Sequence, residues 1–292
     1  MSLMVELLAR FDLPEGFSES PLKGVRFFKS SHHLPRTPLI YDPGIVIIAQ
    51  GNKLGYLGDQ VLQYDANSYL VLSVAIPFEC ETFASPDCPL LGVYIDVDLA
   101  QLYDLISKLG QRADFRKDKE VALPRGIGPA ILDKDMADAV VRLLKCLQSE
   151  TEIRVLGLGL VREILFRALC GTQAAVLYAL AMHNGNFARV VRALNTIHND
   201  YATKLSVEQL ARQVHMSIST FHRAFKEVTS DSPMQYLKKV RLNKARDFML
   251  QEEMKANIAA DRVGYESASQ FSREFKRYFG QSPTNIFRES RT

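Results

Sequence analysis

Between about Val25 and Val97 the apolar residues come in short runs rich in β-branched and aromatic types, the signature of strands. Ile45-Val46-Ile47-Ile48, Val61-Leu62-Gln63-Tyr64, Tyr69-Leu70-Val71-Leu72-Ser73-Val74 and Leu91-Gly92-Val93-Tyr94-Ile95 are such runs. Turn material separates them, including Asp42-Pro43-Gly44, Gly51-Asn52-Lys53, Gly58-Asp59 and Ser85-Pro86-Asp87. Short strands at this spacing predict a small barrel or jelly roll, an architecture able to enclose a ligand. After Asp98 the apolar period becomes helical. Leu99 to Leu109 forms one candidate helix; Met136, Val140, Leu143, Leu144 and Leu147 mark a second. A third is expected from about Glu152 to Leu169, with Leu156, Leu160, Val161, Ile164, Leu165 and Leu169 inward. Residues Gly171 to Gly185 join two parts, with helix in the middle and a break at His183-Asn184-Gly185. The amino terminus reads as a small amphipathic helix.

Beyond the join, Phe187, Val190, Val191, Leu194 and Ile197 define an amphipathic helix, and Ser206 with Gln209 fits a capping box opening the next. The segment Ser217 to Pro233 is then written a second time from Ser267 to Pro283. The copies share Ser217/Ser267, Ser219/Ser269, Phe221/Phe271, Arg223/Arg273, Phe225/Phe275, Lys226/Lys276, Ser232/Ser282 and Pro233/Pro283. A duplicated segment points to one structural unit used twice. In the first copy Phe221, Ala224, Phe225 and Val228 form an inward stripe, opposite Ser219, His222, Arg223 and Lys226. In the second, Phe271, Phe275, Tyr278 and Phe279 face inward, opposite Ser269, Ser272, Arg273 and Lys276. Each copy, with the short helix and turn before it, predicts a helix-turn-helix whose second helix has the shape that enters a DNA major groove. The connecting helix, Pro233 to about Leu250, is about 18 residues or roughly 27 Å long. With the width of the flanking units added, that length brings two reading helices near the duplex repeat of about 34–36 Å.

Charge sharpens this picture. The net charge of +3 divides unevenly: from Asn186 onward there are 18 Lys and Arg against 11 Asp and Glu, and before it 18 against 22. The polyanion-binding character therefore lies in the carboxy-terminal third. No apolar run approaches the roughly 20 residues of a membrane span, and the amino terminus is too short and acidic for a secretory signal. Cys80, Cys88, Cys146 and Cys170 lack metal or redox spacing and are expected to be buried structural thiols of a cytoplasmic protein. The strand-rich region offers only His32-His33 toward a metal site, neighbours that face opposite sides if they lie in a strand. No catalytic constellation or phosphate loop is present, so neither enzyme activity nor a metal or other cofactor is expected.

The segment from about Phe187 to Phe287 resembles the DNA-binding domain of the AraC/XylS family of bacterial transcription regulators. The resemblance is carried by Leu205-Ser206-Val207-Glu208-Gln209-Leu210-Ala211, Met216-Ser217, Phe221-His222-Arg223-Ala224-Phe225-Lys226, Arg241-Leu242 and Ala245. It continues through Ala260, Val263-Gly264-Tyr265-Glu266-Ser267, Phe271-Ser272-Arg273-Glu274-Phe275-Lys276, Gly280 and Ser282-Pro283. More loosely, Tyr41-Asp42-Pro43, Gln50-Gly51-Asn52-Lys53 and Val161-Arg162-Glu163-Ile164-Leu165 are similar to the amino-terminal domain of one AraC-type subgroup. The resemblance implies an α+β chain: a cupin-like β-barrel with packed helices, for effector sensing or dimerisation, followed by an all-α domain of two helix-turn-helix units joined by a linker helix. The domains are expected at 1–172 and 186–292, with a linker at 173–185.

The base-reading residues implied are Ser219, His222 and Arg223 in the first unit and Ser269, Gln270 and Arg273 in the second. Arg223 and Arg273 suit guanine edges, while Ser217, Lys226, Ser267, Lys276 and Arg277 are assigned to phosphates. His215 stands where the second unit has Gly264, which leaves the geometry of the first turn open. Tyr56, Tyr64, Tyr69 and Phe78 are candidates for lining an effector pocket, with simple core packing as the alternative. The expected partners are double-stranded DNA, a small-molecule effector, a second copy in a homodimer and RNA polymerase. The resulting expectation is a DNA-binding activator that answers to an effector; the alternatives are a constitutive dimeric binder without effector, or a cupin-type enzyme fused to a DNA-binding module.

Overall fold

Ser2 opens the first helix, α1 (Leu3–Leu8), by accepting from the Val5 amide, and Met4, Val5, Leu7 and Leu8 bury the inward face. The computed structural model describes residues 2–109, 125–181 and 185–289. The strands are β1 (Gly16–Glu19), β2 (Val25–Ser30), β3 (Leu34–Tyr41), β4 (Gly44–Gln50), β5 (Asn52–Leu57), β6 (Gln60–Asp65), β7 (Ser68–Leu72), β8 (Ile76–Phe83), β9 (Leu90–Asp96) and β10 (Ile127–Ile131). They form two antiparallel sheets, one ordered β1-β2-β9-β4-β7-β10 and the other β3-β8-β5-β6. Rings meet across the sheets: Tyr41 on β3 lies 6.1 Å from Tyr94 on β9, edge to face. β10 comes after α2 (Leu99–Leu109), apart in sequence from the other nine strands described. Sequence periodicity missed it because Ile-Gly-Pro-Ala-Ile is a short run interrupted by Gly and Pro; its antiparallel pairing with β7 makes it a strand.

The helices α3 (Lys134–Cys146), α4 (Glu150–Glu152), α5 (Leu158–Cys170) and α6 (Ala174–Ala181) pack outside the sheets. Asp133 caps α3, whose Met136, Val140, Leu143 and Leu144 are buried. Between α4 and α5 the chain winds as a π-helix over Ile153–Gly157. This wider turn shifts the phase of the apolar stripe, so Leu156, expected inward, is 50% exposed, while Val161, Ile164, Leu165 and Leu169 are buried. The four cysteines also divide: Cys80 and Cys146 are buried, but Cys88 and Cys170 are exposed, correcting the expectation of four buried thiols. α6 supplies the helix within the join; of the expected break, His183 and Asn184 lie outside the described residues.

The carboxy-terminal helices are α7 (Asn186–Asp200), α8 (Val207–Gln213), α9 (Ile218–Thr229), α10 (Pro233–Gln251), α11 (Ala256–Arg262), α12 (Ala268–Phe279) and α13 (Pro283–Glu289). One apolar cluster runs from Met4 through both sheets to Val240 on α10. A second holds α11 and α12 against the far half of α10 through Leu242, Ala245, Met249, Phe271 and Phe275. The two halves are also pinned by polar contacts. The Gly126 amide donates to Val228 O at 3.1 Å, Arg246 Nη1 donates to Pro38 O at 2.8 Å, and the buried Tyr236 hydroxyl donates to Ala75 O.

Candidate nucleic-acid interface and effector cavity

The first helix-turn-helix begins at Ser206, whose side chain and that of Gln209 complete the expected reciprocal capping box. The turn between α8 and α9 places His215 at φ 55°, in the same left-handed region that Gly264 adopts at φ 83° between α11 and α12. The two turns thus share the feature that His215 had left open, and histidine carries the strain that glycine avoids. Ser217 and Ser267 cap α9 and α12, accepting from the amides of Thr220 and Gln270. Both helices stop at a left-handed residue, Ser230 or Gly280, before the next helix opens at Pro233 or Pro283.

Burial of Phe221, Ala224, Phe225 and Val228 turns Ser219, His222, Arg223 and Lys226 to solvent. Burial of Phe271 and Phe275 likewise leaves Ser269, Gln270, Arg273, Lys276 and Arg277 exposed. Among the described residues none of these five cations forms an ion pair, so their charge remains available to a polyanion. The one acid on the α12 face near them is drawn inward. Glu274 accepts from Lys238 at 3.0 Å and from Tyr265 at 2.9 Å. Burial opposes its charge, but these hydrogen bonds and one from Gln270 hold its pKa below the usual carboxylate value. Gln270 is therefore tethered along its own helix at 3.4 Å.

Two supports were not legible in the stripe pattern. Arg189 on α7 donates to His215 O at 2.9 Å, bracing the first turn. Arg241 on α10 reaches three carbonyl oxygens around the second. Only a turn carbonyl's position in space reveals such partners; the exposed-cation pattern does not.

A cavity of about 600 Å³ lies between β1–β3 and the carboxy-terminal part of α10. Phe17, Phe28, Tyr41, Lys53 and Tyr94 line it from the sheets, and Arg246, Asp247 and Gln251 from the helix. The four aromatics expected to form a pocket do not converge. Tyr64 and Tyr69 are core, at 0% and 2% exposure, where burial raises both phenol pKa values, that of Tyr69 to about 12. Tyr56 and Phe78 flank a separate crevice of about 200 Å³ toward Asp231 and Lys239. The cavity instead takes residues of β1, β2, β3, β5, β8 and β9, of which only Tyr94 lies in one of the four strand runs picked out from the sequence.

Two helix-turn-helix units following a pair of antiparallel sheets, with a cavity at the junction, define a helix-turn-helix type of protein. The family model described as AraC-type transcriptional regulator N-terminus matches residues 21–176, just over half of the chain, and a helix-turn-helix domain model matches residues 210–289. The chain belongs to the AraC-type regulator family. It is similar to the HTH-type transcriptional activator RhaS of Klebsiella pneumoniae (strain 342), 31% identical over 147 residues, covering 50% of this chain and 51% of RhaS. It is also similar to the HTH-type transcriptional regulator AlkR of Acinetobacter baylyi, 36% identical over 98 residues, covering 34% of this chain and 32% of AlkR. The chain thus spans about half, or less, of the length of the relatives it matches in sequence. In fold it is similar to unsaturated fatty acid bound ToxT from Vibrio cholerae strain SCE256, with TM-score 0.61 at 10% identity, covering 94% of this chain and 97% of ToxT. The α+β architecture, sheets first and helices after, is shared with that structure. Among the described residues no single helix is long and apolar enough to cross a membrane.

Proposed function

We propose that this protein is a sequence-specific transcription regulator, an activator whose hold on DNA answers to a small molecule bound in its sheet-rich half. The observation that carries the reading is the pair of exposed polar faces on α9 and α12, each backed by a buried aromatic stripe. The 19-residue α10 between them is about 28 Å long, which suits two successive major grooves on one side of the duplex. In this reading Ser219, His222, Arg223, Ser269, Gln270 and Arg273 meet base edges. Ser217, Lys226, Ser267, Lys276 and Arg277 hold phosphates and set orientation.

The effector is assigned to the cavity at the junction, because its walls come from both halves of the chain. The likeness to ToxT with its bound unsaturated fatty acid supports a small-molecule effector here. The domains assigned are 1–172 for effector binding and dimerisation, 173–185 as linker and 186–292 for DNA. A cytoplasmic homodimer that engages RNA polymerase and has no catalytic activity completes the proposal. Selection of bound sequences from a random DNA pool with the full chain tests it. The expected product is a two-part motif with unlike halves, since the second copy has Ser272 where the first has His222, and Gln270 where the first has Thr220; absence of any enriched motif would overturn the reading.

A further inference from the structure

Val155, Leu156 and Leu158 are 74%, 50% and 63% exposed, three large apolar side chains side by side on the outer helices of the sheet-rich half. Apolar residues exposed one at a time are ordinary, whereas a contiguous ridge of them marks a surface that meets something. The π-helical turn over Ile153–Gly157 explains how the ridge arises. Gly157 is the buried residue of that turn, and a Cβ on it would lie 3.1 Å from Leu22. With Gly157 facing inward, its neighbours on both sides are carried to solvent. Gly159 is exposed as well, and nothing lies within 4 Å of where its Cβ would stand, so the ridge has a notch beside Leu158.

Opposite charges flank the ridge. Glu152, Val155, Gly159 and Arg162 follow one another at helical spacing, on the side of the helix away from Gly157. Among the described residues Glu152 forms no ion pair. Arg162 gives Nη2 to Asp104 and is still 33% exposed. The order acid, apolar residue, notch, base is centred on Gly157, and such an order complements itself when a second copy runs antiparallel. A two-fold axis at the level of Gly157 sets Glu152 opposite the partner's Arg162 and Val155 opposite the partner's Gly159, with Leu156 and Leu158 closing the two flanks. An unrelated partner requires no symmetry of this kind, so the pattern favours a second copy of this chain.

We propose, resting on the homodimer reading given above, that this ridge is the seam of the dimer, where α5 and the π-helical turn before it pack antiparallel against the same segment of a second copy. Sedimentation of the full chain across about 1–100 μM reads the association. The parent is expected to be dimeric within that range. Gly159→Arg fills the notch with a side chain whose Cβ meets nothing in its own chain. It is expected to keep the parental Tm and to weaken association about tenfold or more. Glu152→Arg and Arg162→Glu should each weaken association by themselves. An equimolar mixture of the two should associate more tightly than either, because the mixed pair restores both opposite-charge contacts across the seam. Should Arg162→Glu, which sets an acid beside Asp104, fail to fold, Gly159→Arg decides alone. An undiminished dimer in folded Gly159→Arg, or a mixture no tighter than its parts, overturns this seam and leaves the homodimer reading standing. A parent chain that is monomeric throughout overturns both, and the DNA selection on the same protein tests the regulator reading independently of either.

Discussion

Arg241, midway along α10, donates to the carbonyl oxygen of Gly264 in the second helix-turn-helix turn at 3.2 Å, and through the same guanidinium to Tyr201 O at 2.7 Å and Thr203 O at 2.8 Å. Tyr201 and Thr203 belong to the loop that leads into the first unit. One planar fork therefore ties the turn of one unit to the approach of the other. Gly264 makes the approach possible, since a Cβ there would lie 2.2 Å from Ala202 O, and its φ of 83° is strained for any side chain.

Gly264→Ala should accordingly destabilise the fold by on the order of 2 kcal/mol or more, read as a lower denaturant midpoint. Arg241→Met, which keeps the stem but loses three carbonyl contacts, should loosen the two units relative to one another. Its signature is spacing tolerance: DNAs whose half-sites are moved apart by one or two base pairs should lose less affinity with the variant than with the parent. Equal penalties for both proteins would exclude the clamp.

Arg223→Ala and Arg273→Ala are each expected to relax base preference at one position, by about 1–3 kcal/mol of discrimination. Lys276→Ala should instead weaken all sequences alike and reduce the salt slope by about 1. Selected site motifs and salt titrations distinguish the two behaviours, and unaltered motifs for both arginine variants would remove them from the reading face.

Glu274 provides a pH test of the second unit. Its unfolded value is near 4.5, and Lys238, Tyr265 and Gln270 hold the folded value lower despite burial. Its stabilisation is thus fully present above pH 4.5 and is lost as pH falls through the folded pKa. Glu274→Gln should cost ~1 kcal/mol at neutral pH and flatten the acid limb of thermal stability. An unchanged acid limb in the variant would show that another group governs it.

His198 titrates in a different window. Its Nε2 lies 2.7 Å from the Tyr236 hydroxyl, whose single proton goes to Ala75 O, so the imidazole is the donor in that pair. Burial, then Lys244, lowers its pKa from 6.5, with Asp42 opposing. The unfolded state therefore binds more protons just below pH 6.5, and stability should fall as pH drops from 6.5 toward the lower folded value, then level off. Melts of the parent and of His198→Gln from pH 7.5 to 5 check this: the slope in that window should shrink in the variant.

Local pattern determined much of this protein. The duplicated stripe, the Ser caps and the capping box specify helices and their inward faces because each is decided within one or two turns of chain. The exposed Ser, His, Arg and Lys faces follow from the same periodicity, so the faces proposed to meet DNA were legible as exposed before any coordinates. The phase of α5 was not, because a π-helical turn alters winding without an evident residue signal, and neither was β10, which owes its identity to pairing with β7. The cavity belongs wholly to tertiary structure. Lys53, Tyr41, Arg26 and Arg246 lie on three strands and a helix as much as 220 residues apart, and only their convergence forms its walls. Sequence fixes which residues face inward along each element; which inward faces meet depends on how distant segments pack.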